Sequence, residues 1–281
     1  MQTTEHINDV RTAVRNARQS EKRIGCVPTM GALHAGHMSL VEECRQRAEF
    51  VCVTIFVNPT QFAPTEDLAK YPRPIEVDLQ KCRDAGVDLV FMPVVSSLYP
   101  DGYQTWVTVD DVTQPLEGEH RPSHFRGVTT VVAKLLNIVQ PDVACFGMKD
   151  YQQLAVIRRM VTDLDMPIDI VACPTIRESD GLALSSRNMY LSAEERTAGL
   201  SLSQSLFAVR EALKSGATDI GALELQMKSH MQRANVDVQY AVIVDPHTLL
   251  PITTPQRHMV ALIAAKVGAT RLIDNVEIFL D

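Results

Sequence analysis

Short apolar runs alternate with amphipathic stretches through the first 175 residues. The runs at 24–27, 50–57, 88–92, 142–146 and 168–173 are almost continuously apolar, and Phe50-Val51-Cys52-Val53-Thr54-Ile55-Phe56-Val57 is the longest. A strand that is apolar on both faces belongs inside a parallel sheet covered by helices. The segments 4–19, 38–48, 75–85, 127–139 and 151–163 carry the three-to-four spacing of helices. The alternation predicts an α/β domain with a parallel sheet. Beyond about residue 175 the texture changes. Two long helical patterns, 193–215 and 219–233, precede β-rich runs at 238–245 and 259–267 and a final extended stretch from Arg271 to Phe279. That order predicts a smaller α+β domain, joined to the first at Pro174-Thr175-Ile176-Arg177.

In a parallel sheet, ligands bind beyond the carboxyl ends of the strands. Chemistry-bearing residues follow several predicted strands. His34 and His37 come after the first, Asn58 and Gln61 after the second, Lys149 and Asp150 after the fourth.

Composition narrows the classes. Of 281 residues, 46% are apolar and 22% charged, with 34 acids against 27 bases and a net charge of −7. This is the make-up of a soluble globular protein without the basic excess of a nucleic-acid binder. None of the six cysteines forms a C-x-x-C pair, and Cys26, Cys52, Cys145 and Cys173 lie in apolar runs, so reduced, buried thiols are expected. The polar N-terminal stretch lacks a signal-peptide apolar segment, and no apolar run is long enough for a spanning helix. A cytoplasmic protein without a membrane partner is expected.

Four stretches merit chemical reading. Met30-Gly31-Ala32-Leu33-His34-Ala35-Gly36-His37 joins a strand to a helix, so free amides and the helix dipole would favour an anion there, with two imidazoles added. Asn58-Pro59-Thr60-Gln61 places two neutral amides at a strand end, suited to a substrate bearing hydroxyl and carboxylate. Gly147-Met148-Lys149-Asp150 sets a lysine and an aspartate at a helix start, with Gln153 three positions on. Leu184-Ser185-Ser186-Arg187 combines two hydroxyls with a guanidinium, a good phosphate clamp. Each alone has a plain structural reading: a helix cap, an Asn-Pro turn, an Asp N-cap, a serine-rich loop. The neighbouring Ser192-x-x-Glu195 is a capping box and requires no function.

Taken together, the histidine turn and the Ser-Ser-Arg loop resemble the two signatures of the HIGH-type nucleotidyl transferase superfamily. Val57–Phe62, Phe146–Asp150 and Gly118–Gly127 narrow the resemblance to pantoate–β-alanine ligases, over about residue 22 to Val276. The resemblance implies a Rossmann-like nucleotide-binding catalytic domain over 1–175 and a small α+β C-terminal lid domain over 176–281. It implies ATP-dependent formation of an acyl adenylate, attacked next by β-alanine to give pantothenate and AMP. ATP would lie along Met30, Gly31, Ala32, Leu33, His34, Ala35, Gly36, His37, Gly147, Met148, Lys149, Asp150, Ile176, Leu184, Ser185, Ser186 and Arg187. Gln61, Gln153 and Asn58 would meet pantoate, and Gln61 also β-alanine. His37, His34, Lys149, Ser185, Ser186 and Arg187 would act in catalysis. Mg²⁺ and a homodimer are also implied.

Three departures stand out. Met148 replaces an acid the family often has, Leu184 replaces a methionine, and Val77-Asp78 stands where adjacent acids associated with magnesium are often found. Protein ligands to the metal are therefore left unassigned. Mg²⁺ commonly keeps its waters and binds through substrate phosphates. The alternatives are another HIGH-type adenylyl transferase and a nucleotide-binding module without turnover. A dinucleotide oxidoreductase is disfavoured because the first turn lacks G-x-G-x-x-G.

Overall fold

The computed structural model describes residues 1–63 and 68–280. The chain divides into two compact units, Met1–Met148 with Gln153–Pro174, and Lys149–Gln152 with Thr175–Asp281. The short segment Lys149–Gln152 thus groups with the C-terminal residues although it precedes them by more than twenty positions.

The first unit runs β1 (Gln2–Thr4), α1 (Ile7–Gln19), β2 (Ile24–Thr29), α2 (Ala35–Arg45), β3 (Phe50–Ile55), α3 (Ile75–Asp84), β4 (Leu89–Phe91), α4 (Val95–Leu98), α5 (Glu117–His120), α6 (His124–Val139) and β5 (Val143–Gly147). It closes with α7 (Tyr151–Asp163), whose first two residues group with the second unit, and β6 (Asp169–Cys173). The strands form one sheet in the order β1-β4-β3-β2-β5-β6. Every pairing is parallel. Continuous apolar runs fit this because both faces are covered: Ile24, Val27, Val51, Val53 and Val143 are wholly buried. Each such side chain contributes about 1.5–3 kcal/mol of burial. The expected α/β fold with a parallel sheet is what the structure contains.

The differences have local causes. Polar Gln2–Thr4 has no apolar pattern, and only pairing with β4 makes it a strand. Helix α2 begins at Ala35, not at residue 38, because His34 caps it. Helix α6 begins at His124 and runs through Gly127, where a Cβ would stand 2.4 Å from the Thr60 carbonyl oxygen. That glycine is required for close approach of the helix to the loop after β3, and the sequence pattern reads it as a helix start.

The second unit contains α8 (Ala193–Lys214), α9 (Ile220–Arg233), β7 (Asp237–Val244), β8 (His258–Val267) and β9 (Thr270–Phe279). The three strands form an antiparallel sheet in the order β7-β8-β9. Leu202, Leu206, Val209 and Leu213 of α8 and Ile220, Leu223, Met227 and Met231 of α9 keep helical spacing. They pack with Met259, Ala261, Ile263 and Ala265, which alternate along β8. The expected Ser192/Glu195 capping box opens α8. Among the described residues no helix is long and apolar enough to cross a membrane.

Candidate active site

Strand order sets the place of the site in the first unit. From β2 the chain moves to β3 and β4 on one side, then returns to place β5 on β2's other flank. Connections leaving β2 and β5 therefore diverge, and such a switch point opens a crevice beyond the carboxyl ends. The histidine turn leaves β2 there, and Gly147 ends β5 there.

The turn is built by local and distant hydrogen bonds. Gly31 and Ala32 are left-handed, with φ of 82° and 51°. The Gly31 amide donates to Thr29 Oγ1 (3.1 Å). Asp78 of α3, wholly buried, accepts the Ala32 amide on Oδ2 and the Leu33 amide on Oδ1, both at 2.7 Å. Lys81, one turn further along α3, donates its ammonium to the Leu33 carbonyl. The Gly36 amide then donates to His34 Nδ1 (3.1 Å), and the His34 amide to His37 Nδ1 (3.3 Å). The His37 amide donates to the His34 carbonyl (2.9 Å).

This cuts back the expectation of free amides. The amides of Gly31, Ala32, Leu33, His34, Gly36 and His37 are all engaged within the protein. What the turn offers an anion is the helix dipole and the imidazole edges. Because Nδ1 of each ring accepts an N–H, the neutral rings carry their hydrogen on Nε2. The ring centroids lie 4.1 Å apart.

Asn58 and Gln61 come together as the sequence suggests, yet differently in role. Asn58 is 1% exposed. Its Nδ2 donates to Gln61 Oε1 (3.0 Å) and the Gly127 carbonyl (3.1 Å). Its Oδ1 accepts from Thr60 Oγ1 (2.9 Å) and the Tyr99 hydroxyl (3.0 Å). With both ends of the amide so occupied, the expectation that Asn58 meets pantoate directly does not fit; it orients Gln61. Gln61 Nε2 reaches Met30 Sδ at 3.1 Å, which brings the second stretch onto the first. The Gln61 carbonyl is held by Arg121 (3.3 Å) and lies 3.0 Å from His124 Nδ1, so the Gly118–Gly127 stretch supports the same corner.

Met148–Asp150 is a single 3-10 turn leading into α7, and within the second unit the Lys149 carbonyl accepts from Asn275 Nδ2 (2.8 Å). Lys149 is half-buried, and Asp150 exposed. Gln153 is half-buried in the first turn of α7. The segment around Ile176 folds back on itself. The Leu184 amide donates to the Ile176 carbonyl (2.9 Å), and Arg177 bridges Ala183. Ser185 Oγ then accepts the Arg187 amide (3.2 Å), capping a 3-10 segment, Ser186–Tyr190. Asn188 ties this loop to Glu178 (2.9 Å). Arg196, hydrogen-bonded to Glu178, holds that carboxyl below the usual carboxylate range.

A metal finds little here. Asp78 is the acid remaining of the expected pair, and both its oxygens serve amides in a wholly buried position. Among the described residues no group of three or more His, Cys, Asp or Glu could hold a metal ion. The residues present do not form a protein cage for Mg²⁺. The six thiols are free and buried.

Sequence reasoning passed over Asp78, Lys81, Asp274 and Asn275 as site-building residues. A signal existed for Asp78, which sits one turn before the buried Cys82 on the apolar stripe of α3. An acid there demands buried partners.

A Rossmann-like strand order with an imidazole pair at the switch point marks an α/β protein of the nucleotide-binding class. The sequence model of pantoate-beta-alanine ligases matches residues 2–277, and the chain belongs to that family, as a ligase of pantothenate biosynthesis. A pantothenate synthetase of Acetivibrio thermocellus is 48% identical over 98% of this chain and 99% of that one. One of Pseudomonas fluorescens is 49% identical over 100% of this chain and 99% of its own. The crystal structure of the Thermus thermophilus pantothenate synthetase has a TM-score of 0.94 at 43% identity, covering 99% of this chain and 100% of that one. A Francisella tularensis pantoate-beta-alanine ligase, solved with Beta-gamma ATP and Beta-alanine, has a TM-score of 0.78 at 33% identity, with coverage of 98% and 97%.

Proposed function

We propose that this protein joins pantoate to β-alanine at the expense of ATP through a non-covalent pantoyl adenylate. A pantoate carboxylate oxygen attacks the α-phosphorus of ATP, the bond from that phosphorus to the bridging oxygen breaks, and pyrophosphate leaves. The neutral amine of β-alanine then attacks the acyl carbon. The carbon–oxygen bond to phosphate breaks, the nitrogen loses a proton, and pantothenate and AMP result.

No side chain need be acylated. The difficulty is electrostatic, since an anionic carboxylate must approach an anionic triphosphate. His34 and His37 would present Nε2–H donors toward charge growing on phosphate oxygens, with His37 serving the leaving pyrophosphate. Each such donor contributes about 2.7–4 kcal/mol when water is excluded. Lys149 and Arg187 would screen the phosphates, and Ser185 and Ser186 would add hydroxyl donors. Gln61, with Gln153, would hold pantoate, and Gln61 would also meet the amine. Holding the carboxylate oxygen in line can supply about 7–11 kcal/mol of the barrier. The nucleotide would run along Met30–His37, Gly147–Asp150, Ile176 and Leu184–Arg187.

Magnesium in this reading arrives as part of MgATP and is held by phosphate oxygens and water, and no step is assigned to it. The C-terminal unit would act as a lid carrying Ser185–Arg187, keeping water from the acyl phosphate. A cytoplasmic homodimer acting on small molecules, without nucleic acid or membrane, completes the reading.

The observation that carries the proposal is the histidine pair at the switch point, each ring fixed through Nδ1 to a backbone amide, in a chain of this family. Incubation with ATP, pantoate and β-alanine, each omitted in turn, tests it. AMP should accumulate only with all three, and pyrophosphate with ATP and pantoate alone. AMP formation indifferent to pantoate would overturn it.

A further inference from the structure

We propose that Asp274 and Asn275 of β9 are positioning residues that hold the Lys149 turn and the Ile176–Arg187 loop in working register. The inference deepens the proposed function and rests on the roles given there to Lys149 and Arg187. All the contacts concerned lie within the second unit.

Successive residues of a strand face opposite sides. Leu272 and Ile278 belong to the core of the second unit, so Asp274 points to the core side and Asn275 to the other. Both are nevertheless buried, at 4% and 5% exposure. Two adjacent buried polar side chains on one strand are costly unless each is fully partnered. Their partners are the two segments in question.

On one side, Asp274 takes Arg177 in a two-pronged ion pair, Nη1 to Oδ2 at 2.7 Å and Nη2 to Oδ1 at 2.9 Å. Arg177 follows Ile176 directly, spans the loop base to the Gly181 carbonyl (3.2 Å), and lies over the Phe207 ring at 4.9 Å. Fixing this guanidinium fixes the bridge to Ala183, and through it the start of Leu184–Arg187. On the other side, Asn275 Nδ2 donates to the Lys149 carbonyl at 2.8 Å. Two residues along that same face, Glu277 accepts the Tyr151 hydroxyl at 3.3 Å. The Lys149–Tyr151 turn is thus held at two points by one face of β9. The Asn275 carbonyl also accepts from Arg177 Nη2 (3.2 Å), so the two pins share a residue.

The consequence is that β9 sets the spacing between the lysine and the Ser-Ser-Arg loop. A fork such as Arg177 with Asp274 fixes direction as well as distance.

The test is a double-mutant cycle on pantoate-dependent pyrophosphate release. Asn275→Ala should lower the rate of adenylation at least tenfold and raise the KM for ATP, with the KM for pantoate within about twofold. In a Lys149→Ala background the same change should add less than threefold, because its effect passes through Lys149. Asn275→Asp, nearly the same shape but unable to donate, should repeat the loss and covers the case in which the alanine variant misfolds. Asp274→Asn should raise the KM for ATP by a comparable factor. Wild-type rates in folded Asn275 variants, or losses that multiply fully in the Lys149→Ala background, would overturn the pin. Wild-type protein that releases no pyrophosphate from ATP and pantoate would overturn the underlying functional reading instead, and the pin with it.

Discussion

His34 caps the helix that carries His37, and the Nδ1 of His37 in turn accepts the amide of His34 at 3.3 Å, so turning either ring releases a backbone amide at the helix start. At both positions Nδ1 serves structure, and the proposed function gives Nε2 the chemistry. The two uses can be separated by mutation. His34→Asn retains an oxygen that can accept the Gly36 amide and removes the Nε2–H. It should melt within a few degrees of wild type while losing about 10²–10³-fold in adenylation rate. His37→Ala should lose a similar factor with its fold intact. Circular dichroism beside a pyrophosphate-release assay checks both, and near-wild-type turnover by either would remove that ring from the mechanism.

Asp78 is a second place where a buried group serves the turn. Replacing it by alanine strands the amides of Ala32 and Leu33, each of which now has a carboxylate oxygen at 2.7 Å. An unpartnered buried polar group costs about 1–3 kcal/mol. Asp78→Ala should therefore lower the denaturation midpoint in urea and reduce turnover by at least tenfold. Asp78→Asn, which puts an NH₂ against an N–H donor, should also fall below wild type in both. Unchanged stability would show the turn to be self-supporting.

Gln61 and Asn58 should behave as substrate contact and support. Gln61→Ala should raise the KM for pantoate several-fold more than that for ATP, with a stability loss smaller than that of Asn58→Ala, since it strands one Asn58 donor rather than several partners. Asn58→Ala should do the same to pantoate and also destabilise the protein by about 1–3 kcal/mol, because its hydrogen-bond partners remain buried. Steady-state kinetics with thermal scans distinguishes them; equal losses for both substrates in Gln61→Ala would argue against a pantoate role.

Acid should loosen the Ser-Ser-Arg loop first at Glu178. Arg196 and Asn188 hold that carboxyl below its ordinary value of about 4.3. A depressed carboxylate contributes stability that is complete above the unfolded-state pKa and is lost as pH falls through the lower folded value. The contribution should thus persist down to about pH 4.3 and fade below it. It is small, because the pair is about one-third exposed on each side and screened by solvent. Glu178→Gln should be less stable than wild type near neutrality and converge with it in acid, as measured by urea unfolding at stepped pH.

The thiols should be silent. Burial pushes Cys52 up to about 12 and Cys82 up to about 11, and raises Cys26 well above the ordinary thiol value. At pH 7–8 thiolate, the reactive form, is scarce and inaccessible. Native protein should react slowly with a thiol reagent, and all six cysteines should react once it is denatured in guanidinium. A fast-reacting native thiol would contradict the burial found here.

Much of this was legible in the chain because it depends on neighbours in sequence. Apolar runs and helical spacing mark strands and helices, since side-chain periodicity is the condition for burying one face or two. The histidine turn, the Asn58/Gln61 stretch, the Lys149 turn and the Ser-Ser-Arg loop each follow from a few adjacent residues. The family resemblance needed no more than their order.

Sheet order was decided in three dimensions. A strand's composition does not say which strand it will lie beside, so the switch point between β2 and β5, and the pairing of polar Gln2–Thr4 with β4, depend on how the connections cross. The engagement of the turn's amides was hidden for a related reason. Asp78 reaches Ala32 across 46 positions and Asn275 reaches Lys149 across 126, and a hydrogen bond from a side chain to a distant backbone leaves no period in the sequence. The chain by itself offered the candidate groups for the substrates; only folding chose the buried acids and amides that hold them, because each must satisfy a partner its own neighbourhood cannot supply.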